Sequence, residues 1–383
     1  MDRSHDYQGD TFVSIFARII LFIASCFSDS AIAINIDRIE LPEGFSIAIY
    51  ADNVANARQL ARSENGTIFV GTRRAGKVYA VVDADKDNRA EKIHLIANDL
   101  FMPSGVAYLD GTLYVAEVDR ILAFDNIDQQ LNSSPNPRVV FEELPKDSHH
   151  GWKYIRFGPD DHLYFAIGAP CNVCQIDDPY GAISRLNILT GTSSVVARGI
   201  RNTVGFAWHP RSHELWFTDN GRDMLGDDSP PGELNRITSR GQHFGFPFIH
   251  GRKTIDPDFG DGVKVDEFVQ PELELGAHVA PLGPLFITAK QFPSEYEGNL
   301  LVAEHGSWNR SKKSGYRIMR ASFDDDGRVA SYEPFARGWL VGQAHWGRPV
   351  AMLELPDGSI LVSDDYAGAI YRITYQSQNR LAP

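Results

Sequence analysis

The stretch LWFTDNGRDMLGDDSPPGELNRI, residues 215–237, decides the fold. It begins with a short apolar run, continues through a polar turn rich in carboxylates and glycine, and ends in a second short segment. Short apolar segments bounded by glycine, aspartate and proline predict β-strands. The turn between them is longer and more polar than a hairpin loop requires. We therefore expect this turn to carry function as well as to connect strands.

The same strand–loop–strand unit recurs six times along the chain. Its copies are marked by Gly66, Gly111, Asp161, His213, Gly298 and Gly358. The markers are 45, 50, 52, 85 and 60 residues apart, and one four-stranded propeller blade takes about 40–50 residues. Because such a unit cannot bury its own faces, the copies are expected to pack around one axis. The pattern predicts an all-β, six-bladed β-propeller over residues 40–375.

Two further features refine this prediction. The alternating strand at residues 45–50 is expected to complete the last blade and close the ring. The 85-residue spacing indicates a large insertion over about residues 241–296, rich in glycine, proline and aromatic residues. Long insertions of this kind commonly shape a site on one face. A pair of β-sandwiches is the alternative fold, but the regular repeat favours the propeller.

The composition limits the partners of this protein. The chain has 383 residues and a net charge of −13, from 37 basic and 50 acidic residues. A surface with this excess of negative charge repels polyanions. Nucleic acid and anionic membranes are therefore not expected as partners.

Residues 1–33 are typical of a signal peptide. Residues 12–27 form a mostly apolar run, and residues 31–33 are a small-x-small cleavage site. The mature protein is therefore expected to be periplasmic or secreted, with no stable membrane span. Two alternatives stay open. One is a membrane anchor, for which the run is short and interrupted by Arg18; the other is a lipoprotein processed at Cys26.

Cys171 and Cys174 form a C-x-x-C pair that remains after such cleavage. In an oxidising compartment we expect a disulfide that holds a loop. Haem attachment requires histidine after the second cysteine, and Gln175 stands there. A zinc site needs further cysteine or histidine ligands, and a catalytic redox pair needs a thioredoxin-like strand–helix context. The sequence around this pair indicates neither.

Polar side chains gather just before or after the repeated strands. They are His149, His150, Arg201, Asn202, Glu304, His305, Arg310, His345, Arg348 and the pair Arg73-Arg74. Strand ends and loops of a propeller meet at one end of the axis, where a pocket lies. Several cations around one axis require an anion, so we expect the pocket to bind a polyanionic small molecule. An imidazole among them can serve as a general base near neutral pH.

The polar turn and the strands beside it contain five carboxylates. They are Asp219, Asp223, Asp227, Asp228 and Glu233. Together with the backbone carbonyls around Gly221, these oxygens suit a hard cation such as Ca2+. Their spacing is not that of an EF-hand loop, and a solvated acidic turn is the alternative interpretation.

Taken together, these motifs resemble the glucose/sorbosone dehydrogenase family of soluble quinoprotein aldose dehydrogenases. They are His150 followed by Gly158-Pro-Asp160, Arg201-Asn202, Asp219-Asn-Gly-Arg-Asp223, Glu304-His-Gly-Ser-Trp-Asn-Arg310 and Gly347-Arg-Pro-Val350. The resemblance covers about residues 40–375. It implies a six-bladed propeller that binds pyrroloquinoline quinone (PQQ) and Ca2+ at the axis. PQQ carries three carboxylates, which matches the anion that the cations require.

The resemblance also implies roles for single residues. His150 resembles the general base that takes the proton from the anomeric hydroxyl of a sugar. Arg201 resembles the arginine beside the reactive quinone carbonyl. The backbone carbonyls of Gly221 and Arg222 resemble those that hold the cofactor-bound Ca2+.

Asn202 and Arg348 resemble cofactor-binding residues of the family. Two other positions depart from the family pattern. Trp346 stands where the soluble glucose dehydrogenases have a second arginine. These enzymes also have a lysine after the inner strand of the fifth blade, and His305 or Arg310 is expected to replace it in binding the cofactor.

This resemblance implies oxidation of an aldose or related sugar at C1 to a lactone. The electrons would pass to an external acceptor, because the chain has no haem-attachment motif. Two other functions remain as alternatives. A metal-dependent lactonase on a similar propeller would need acidic and amide side chains on the metal rather than arginines. A non-catalytic ligand-binding propeller would not need His150, Arg201 and Arg348.

Overall fold

The computed structural model describes residues 34–376, and the expected signal peptide, with Cys26, lies outside them. Within the described residues the regular structure is β-strand, apart from four single-turn 3-10 helices. These helices are Ile36–Arg38, Ile127–Gln129, Val265–Glu267 and Ser294–Tyr296. No helix in the described range is long and apolar enough to cross a bilayer.

After strand β1 (Phe45–Ala51), the first half of the chain forms three blades of four antiparallel strands each, and the later strand Gln242–His243 adds in parallel to the outer edge of the third. Blade 1 contains β2 (Ala57–Arg62), β3 (Ile68–Thr72), β4 (Val78–Val82) and β5 (Lys92–Ala97). Blade 2 contains β6 (Gly105–Leu109), β7 (Thr112–Ala116), β8 (Ile121–Phe124) and β9 (Arg138–Phe141). Blade 3 contains β10 (Ile155–Phe157), β11 (Leu163–Ile167), β12 (Ala182–Leu186) and β13 (Ser193–Arg198).

The second half forms three more blades, with short strands between them. Blade 4 contains β14 (Phe206–Trp208), β15 (Leu215–Asp219) and β16 (Pro231–Ile237). Three short strands follow in the chain: β17 (Gln242–His243), β18 (Ile249–His250) and β19 (Thr254–Ile255). Strand β20 (Leu273–Ala277) then completes blade 4. Blade 5 contains β21 (Pro281–Phe286), β22 (Leu300–Glu304), β23 (Arg317–Phe323) and β24 (Val329–Arg337). The hairpin β25 (Leu340–Val341) and β26 (Ala344–His345) precedes blade 6, which contains β27 (Pro349–Glu354), β28 (Ile360–Asp364) and β29 (Ala369–Tyr375). The predicted all-β, six-bladed propeller is confirmed.

Strand β1 supplies the fourth strand of blade 6 and closes the ring. It pairs antiparallel with β29, with Phe45 opposite Tyr375 and Ala51 opposite Ile370. The Phe45 ring also lies 4.8 to 5.1 Å from the rings of Phe292, Tyr296 and Phe335. The prediction that the strand near residue 45 completes the last blade is confirmed, and aromatic packing as well as strand pairing holds it there.

The hydrophobic core lies between neighbouring blades. All five residues of β15 are buried, and the same holds for β3, β11, β22 and β28. Trp216 of β15, for example, packs its indole against Phe286 and Phe323 of blade 5 at centroid distances of 6.2 and 5.2 Å. These second strands are covered on both faces, which explains why they read in sequence as nearly continuous apolar runs.

The insertion is predicted over residues 241–296, and the C-terminal boundary of this prediction is wrong. Strand β20 is the outer strand of blade 4, and β21 is the inner strand of blade 5. Glycine and two prolines conceal β21 in the sequence, because proline removes a donor from the strand ladder. The register shifts between Pro281 and Pro284, which accommodates both prolines. The true insertion therefore runs only between β16 and β20.

One end of the propeller axis collects the loops that matter here, and we call it the site face. Because neighbouring strands are antiparallel, the loops between second and third strands meet there with the loops that lead to the next inner strand. The polar turn after β15 is one of them. Asp219, Glu304 and Asp364 end the second strands of blades 4, 5 and 6 at this face, and all three carboxylates are buried.

Candidate functional site

A cavity of about 630 Å³ opens on the site face. Six of the eight residues to which the resemblance assigns a role line it: His150, Arg201, Asn202, Gly221, His305 and Arg348. Arg222 and Arg310 are not among its lining residues. The structure thus brings together residues from the turns before β10 and β14, the polar turn after β15, and the loops beside β22 and β27.

His150 lies in the turn before β10 and is buried, with a backbone φ of +50°. Its Nδ1 is 2.9 Å from the carbonyl oxygen of Ala169. Since a carbonyl can only accept, Nδ1 carries the proton and Nε2 keeps its lone pair. Burial, the guanidinium of Arg201 and the neighbouring His149 lower the pKa of His150 to about 2. The imidazole is therefore neutral at physiological pH and available as a base.

The guanidinium of Arg201 is held by oxygens on several sides. It donates to the carbonyl oxygen and to Oδ1 of Asn172 at 2.8 and 2.9 Å, and to the carbonyl oxygen of Asn220 at 3.1 Å. It also pairs with Asp223 at 3.2 Å. Burial lowers the pKa of Arg201, and the nearby carboxylate of Asp223 opposes that effect. A cation fixed in this way can stabilise negative charge that develops in the cavity.

Two buried carboxylates lie beneath this arrangement. Asp219 accepts the backbone N–H groups of Arg201 and Asn202 at 2.8 and 2.7 Å, so it fixes the chain that presents both side chains. Glu233 stands opposite Asp219 in the neighbouring strand and accepts from the N–H of Gly251. Burial raises the pKa of both carboxyl groups, and the proximity of Asp219 raises the pKa of Glu233 further.

The raised pKa of Glu233 makes stability depend on pH, and we expect Glu233→Gln to remove this contribution. At low pH, Glu233 is protonated in both folded and unfolded chains. As the pH rises above 4.5, the ordinary pKa of a glutamate side chain, the unfolded chain releases the proton while the folded protein keeps it. The free energy of unfolding therefore falls until the raised folded-state pKa is passed.

Urea denaturation of wild type and variant between about pH 4 and pH 9 measures this effect, a window that spans the carboxyl titration. The stability of Glu233→Gln relative to wild type should increase with pH. The matched control is Glu267→Gln, at an exposed glutamate. A relative stability of Glu233→Gln that does not change with pH would contradict the assignment.

Another buried carboxylate, Asp365, pairs with side chains from three blades. It pairs with Arg58 of β2 at 2.9 Å, with Arg348 at 3.0 Å and with His305 Nε2 at 3.0 Å. Burial alone raises the pKa of Asp365, but His305, Arg58 and Arg348 outweigh it and hold the pKa well below its usual range. The cluster therefore presents fixed positive charge to the cavity.

Of the two residues expected to replace the family lysine, only His305 lines the cavity. Arg310 instead donates to the carbonyl oxygen of Asp227 and pairs with Asp228 at 2.8 Å. Lys313, three residues further on, reaches the cavity and lies 3.0 Å from Nδ1 of His345. Burial and the adjacent Lys313 lower the pKa of His345 to about 4, so this imidazole accepts from the ammonium.

Three buried donors at the cavity have no hydrogen-bond partner in the described structure: Nε of Arg58, Nε of Arg73 and Nε1 of Trp152. The guanidinium of Arg73 stacks on the Trp152 indole, 3.5 Å from the ring centroid. Burial lowers the pKa of Arg73 to about 10, with Arg58 adding to the effect. Unsatisfied buried donors and surplus positive charge fit a ligand with several carboxylates.

The expected calcium site is only partly assembled from the residues proposed for it. Gly221 lines the cavity, and within the described residues no hydrogen bond reaches the carbonyl oxygen of Gly221 or Arg222. The side chain of Arg222 turns away and pairs with Asp256 at 2.5 Å. Of the five expected carboxylates, only Asp223 lines the cavity. Free backbone carbonyls fit Ca2+, but a set of converging carboxylates is not present here.

The comparisons with known proteins agree with this architecture. The chain matches the family model described as Glucose / Sorbosone dehydrogenase over residues 54–338. It is 36% identical over 372 residues to a protein of Borreliella burgdorferi described as uncharacterized, covering 92% of this chain and 96% of that protein.

Two solved structures share the fold. The calcium structure of a family AA12 carbohydrate-active enzyme from Trichoderma reesei aligns with a TM-score of 0.76 and 18% identity, over 91% of this chain and 100% of that one. The holo form of the PQQ domain of pyranose dehydrogenase from Coprinopsis cinerea aligns with a TM-score of 0.75 and 17% identity, over 88% of this chain and 97% of that one. The family model spans most of the propeller, and the chain therefore belongs to the glucose/sorbosone dehydrogenase family.

Proposed function

We propose that the protein is a PQQ- and calcium-dependent oxidoreductase that oxidises an aldose or related sugar at C1 to a lactone. One observation carries the proposal. A single cavity holds a neutral histidine with a free Nε2, a fixed arginine beside it, and a set of cations with unsatisfied donors. Family membership and the quinoprotein relatives of the same fold support the same function.

The residues around the cavity suit PQQ in charge and in donor chemistry. Arg58 and Arg348 are fixed by Asp365, and Lys313 stands on the neighbouring loop. These groups would hold the cofactor carboxylates. The carbonyl oxygens of Gly221 and Arg222 would hold Ca2+. When bound, the quinone would accept the hydride equivalent, and the metal would polarise its carbonyl group.

The protein's own residues then handle the proton and the charge. Nε2 of His150 accepts the proton of the C1 hydroxyl, and the Ala169 carbonyl stabilises the resulting imidazolium through its hydrogen bond to Nδ1. The Arg201 guanidinium stabilises negative charge on oxygen as it develops. Its contacts with Asn172 and Asp223 fix its position beforehand, so little reorganisation is needed during the reaction.

The electrons leave the protein for a separate acceptor, and the site of action proposed from residues 1–33 is the periplasm or the cell exterior. A metal-dependent lactonase is the less favoured function. It would need several acidic and amide side chains directed at one metal ion, whereas Asp227 and Asp228 are occupied with Arg310 and its neighbour Ser311.

Dye-linked oxidation of a panel of aldoses by the purified protein tests the proposal. Activity is expected only when PQQ and Ca2+ are both added. The cofactor should also raise the melting temperature, since a ligand at about 100 times its Kd stabilises a protein by about 2.7 kcal/mol. Absence of activity, together with no binding of PQQ in calorimetry or the visible spectrum, would overturn the proposal.

A further inference from the structure

The loop of residues 168–174, which we call the cysteine loop, lies at the site face between β11 and β12. The disulfide between Cys171 and Cys174, predicted from the sequence, closes it. Asn172 stands inside this four-residue ring. The flanking strands stay paired up to the edge of the loop, with Ile167 opposite Ala182. The loop is therefore a separate element mounted on a rigid hairpin.

Asn172 provides two of the acceptors around the Arg201 guanidinium. Its carbonyl oxygen accepts from Nε at 2.8 Å, and its Oδ1 accepts from a terminal nitrogen at 2.9 Å. The same Oδ1 accepts the backbone N–H of Asp223 at 2.8 Å, and the Asn172 amide donates to the Asp223 carbonyl at 3.1 Å. Asn172 thus ties Arg201 to the polar turn after β15.

The cysteine loop also orients His150. Ala169 donates its N–H to the carbonyl of Arg201 at 2.8 Å and accepts from Nδ1 of His150 at 2.9 Å. The preceding Gly168 packs so closely that a Cβ there would lie 2.5 Å from the Cβ of His150. One short segment therefore contacts both residues to which the proposed reaction assigns proton transfer and charge stabilisation.

We infer that Asn172 is a positioning residue for Arg201 and that the Cys171–Cys174 disulfide keeps Asn172 in place. The expected effect on catalysis rests on the proposed function, whereas the expected effect on the position of Arg201 does not. A disulfide restricts the conformations open to the residues it encloses. Without it, Asn172 can leave the guanidinium while β11 and β12 stay paired and the Arg201 backbone stays bound to Asp219.

The first experiment measures the position of Arg201 without using activity. Cofactor-free protein is treated with phenylglyoxal, which modifies accessible arginines, and the rate at Arg201 is followed by peptide mass mapping. Asn172→Ala keeps the backbone carbonyl but removes the side-chain oxygen that accepts from Arg201 and from the Asp223 N–H. Loss of this hydrogen bond to a charged group should raise the rate by about tenfold or more. Asn172→Asp keeps both oxygens that accept from Arg201 and loses the amide donor to the Asp223 carbonyl, so its rate should lie closer to wild type than that of Asn172→Ala. The control Asn187→Ala removes an asparagine from the exposed turn after β12 and should leave the rate unchanged.

The second experiment opens the disulfide. Dithiothreitol supplies two electrons and two protons, the Cys171–Cys174 bond becomes two thiols, and dithiothreitol leaves as its cyclic disulfide. The sequence has three cysteines, and the third, Cys26, lies in the expected signal peptide. Protein that lacks this segment therefore contains only the Cys171–Cys174 pair for dithiothreitol to reduce. Reduction should raise the Arg201 modification rate as Asn172→Ala does, with the melting transition retained, and reoxidation should restore protection.

Kinetics on the loaded enzyme complete the test. Asn172→Ala and the reduced protein should lose kcat while KM changes little, because the lost contacts act on a transition-state group. If Asn172→Ala leaves Arg201 as protected as in wild type, the role of Asn172 is overturned. If Asn172→Ala raises the modification rate of Arg201 but reduction of the disulfide does not, the role of the disulfide is overturned. An inactive wild type with normal Arg201 protection would refute the proposed function and leave the positioning result standing.

Discussion

Replacing His150 with Asn should lower kcat for sugar oxidation by about 10²–10⁴-fold, the range that a general base contributes. Asparagine is the better substitution than alanine because it tolerates the left-handed backbone that His150 adopts at φ +50°. Its amide can still meet the Ala169 carbonyl but cannot take a proton. Affinity for PQQ should stay nearly unchanged, because the cations proposed to bind the cofactor carboxylates are elsewhere in the cavity.

The measurement is dye-linked steady-state kinetics, with PQQ affinity from calorimetry. The matched control is His162→Asn, a histidine in the β10–β11 turn of the same blade, at the end opposite the site face. It should keep wild-type kcat. The pH profile gives a further check: since the pKa of His150 is lowered to about 2, the wild type should show no acid limb from this residue near its ordinary pKa of 6.5. Full activity of His150→Asn would rule out His150 as the base.

Replacing Asp365 with Ala should lower the free energy of unfolding by about 3–5 kcal/mol, the cost of breaking a buried ion pair by removing one partner. Arg58, whose side chain is 3% exposed, would be left buried without its counter-charge. Arg348 and His305 would lose the same acceptor. Asp365→Asn keeps the shape and one acceptor oxygen, so its loss should be intermediate.

Urea denaturation of the cofactor-free protein measures this effect. The matched control is Asp52→Ala, which removes a partly exposed surface aspartate paired with Arg89 at 3.6 Å and should cost about 0–1 kcal/mol. PQQ affinity should also fall in Asp365→Ala, because Arg58 and Arg348 would no longer be fixed. A loss of stability no larger than that of Asp52→Ala would show that the cluster is not the buried anchor described here.

The sequence predicted the propeller from the middle strands of each blade. Those strands are buried on both sides and follow a recognisable turn, so their pattern repeats. The inner strands carry less signal: β10 and β14 have three residues each, and Pro281 and Pro284 disguise β21. The expected insertion therefore extends too far at its C-terminal end.

The candidate site was predictable where a polar residue stands next to a repeated strand, as His150, Arg201 and Arg348 do. Arg58 was missed because it lies within the inner strand β2, where a lone charge gives no hint of a partner such as Asp365. Lys313 was missed because the loop after β22 carries it well beyond the strand end, and only the fold shows which residue of that loop reaches the axis. Asn172 was missed because the C-x-x-C pair around it predicted only a disulfide.

The pairing of β1 with β29 has a consequence for how the chain folds. Ser46 and Thr374 hydrogen-bond across 328 positions of sequence, so the ring closes through one of the most distant contacts in the protein. Contacts between remote residues slow folding, because the chain entropy is lost before the contact is formed. The first five blades can pair their strands locally, whereas β1 can pair only with β29 of the last blade. Weakening β1 should therefore speed unfolding more than it slows folding, as expected for contacts that form after the transition state.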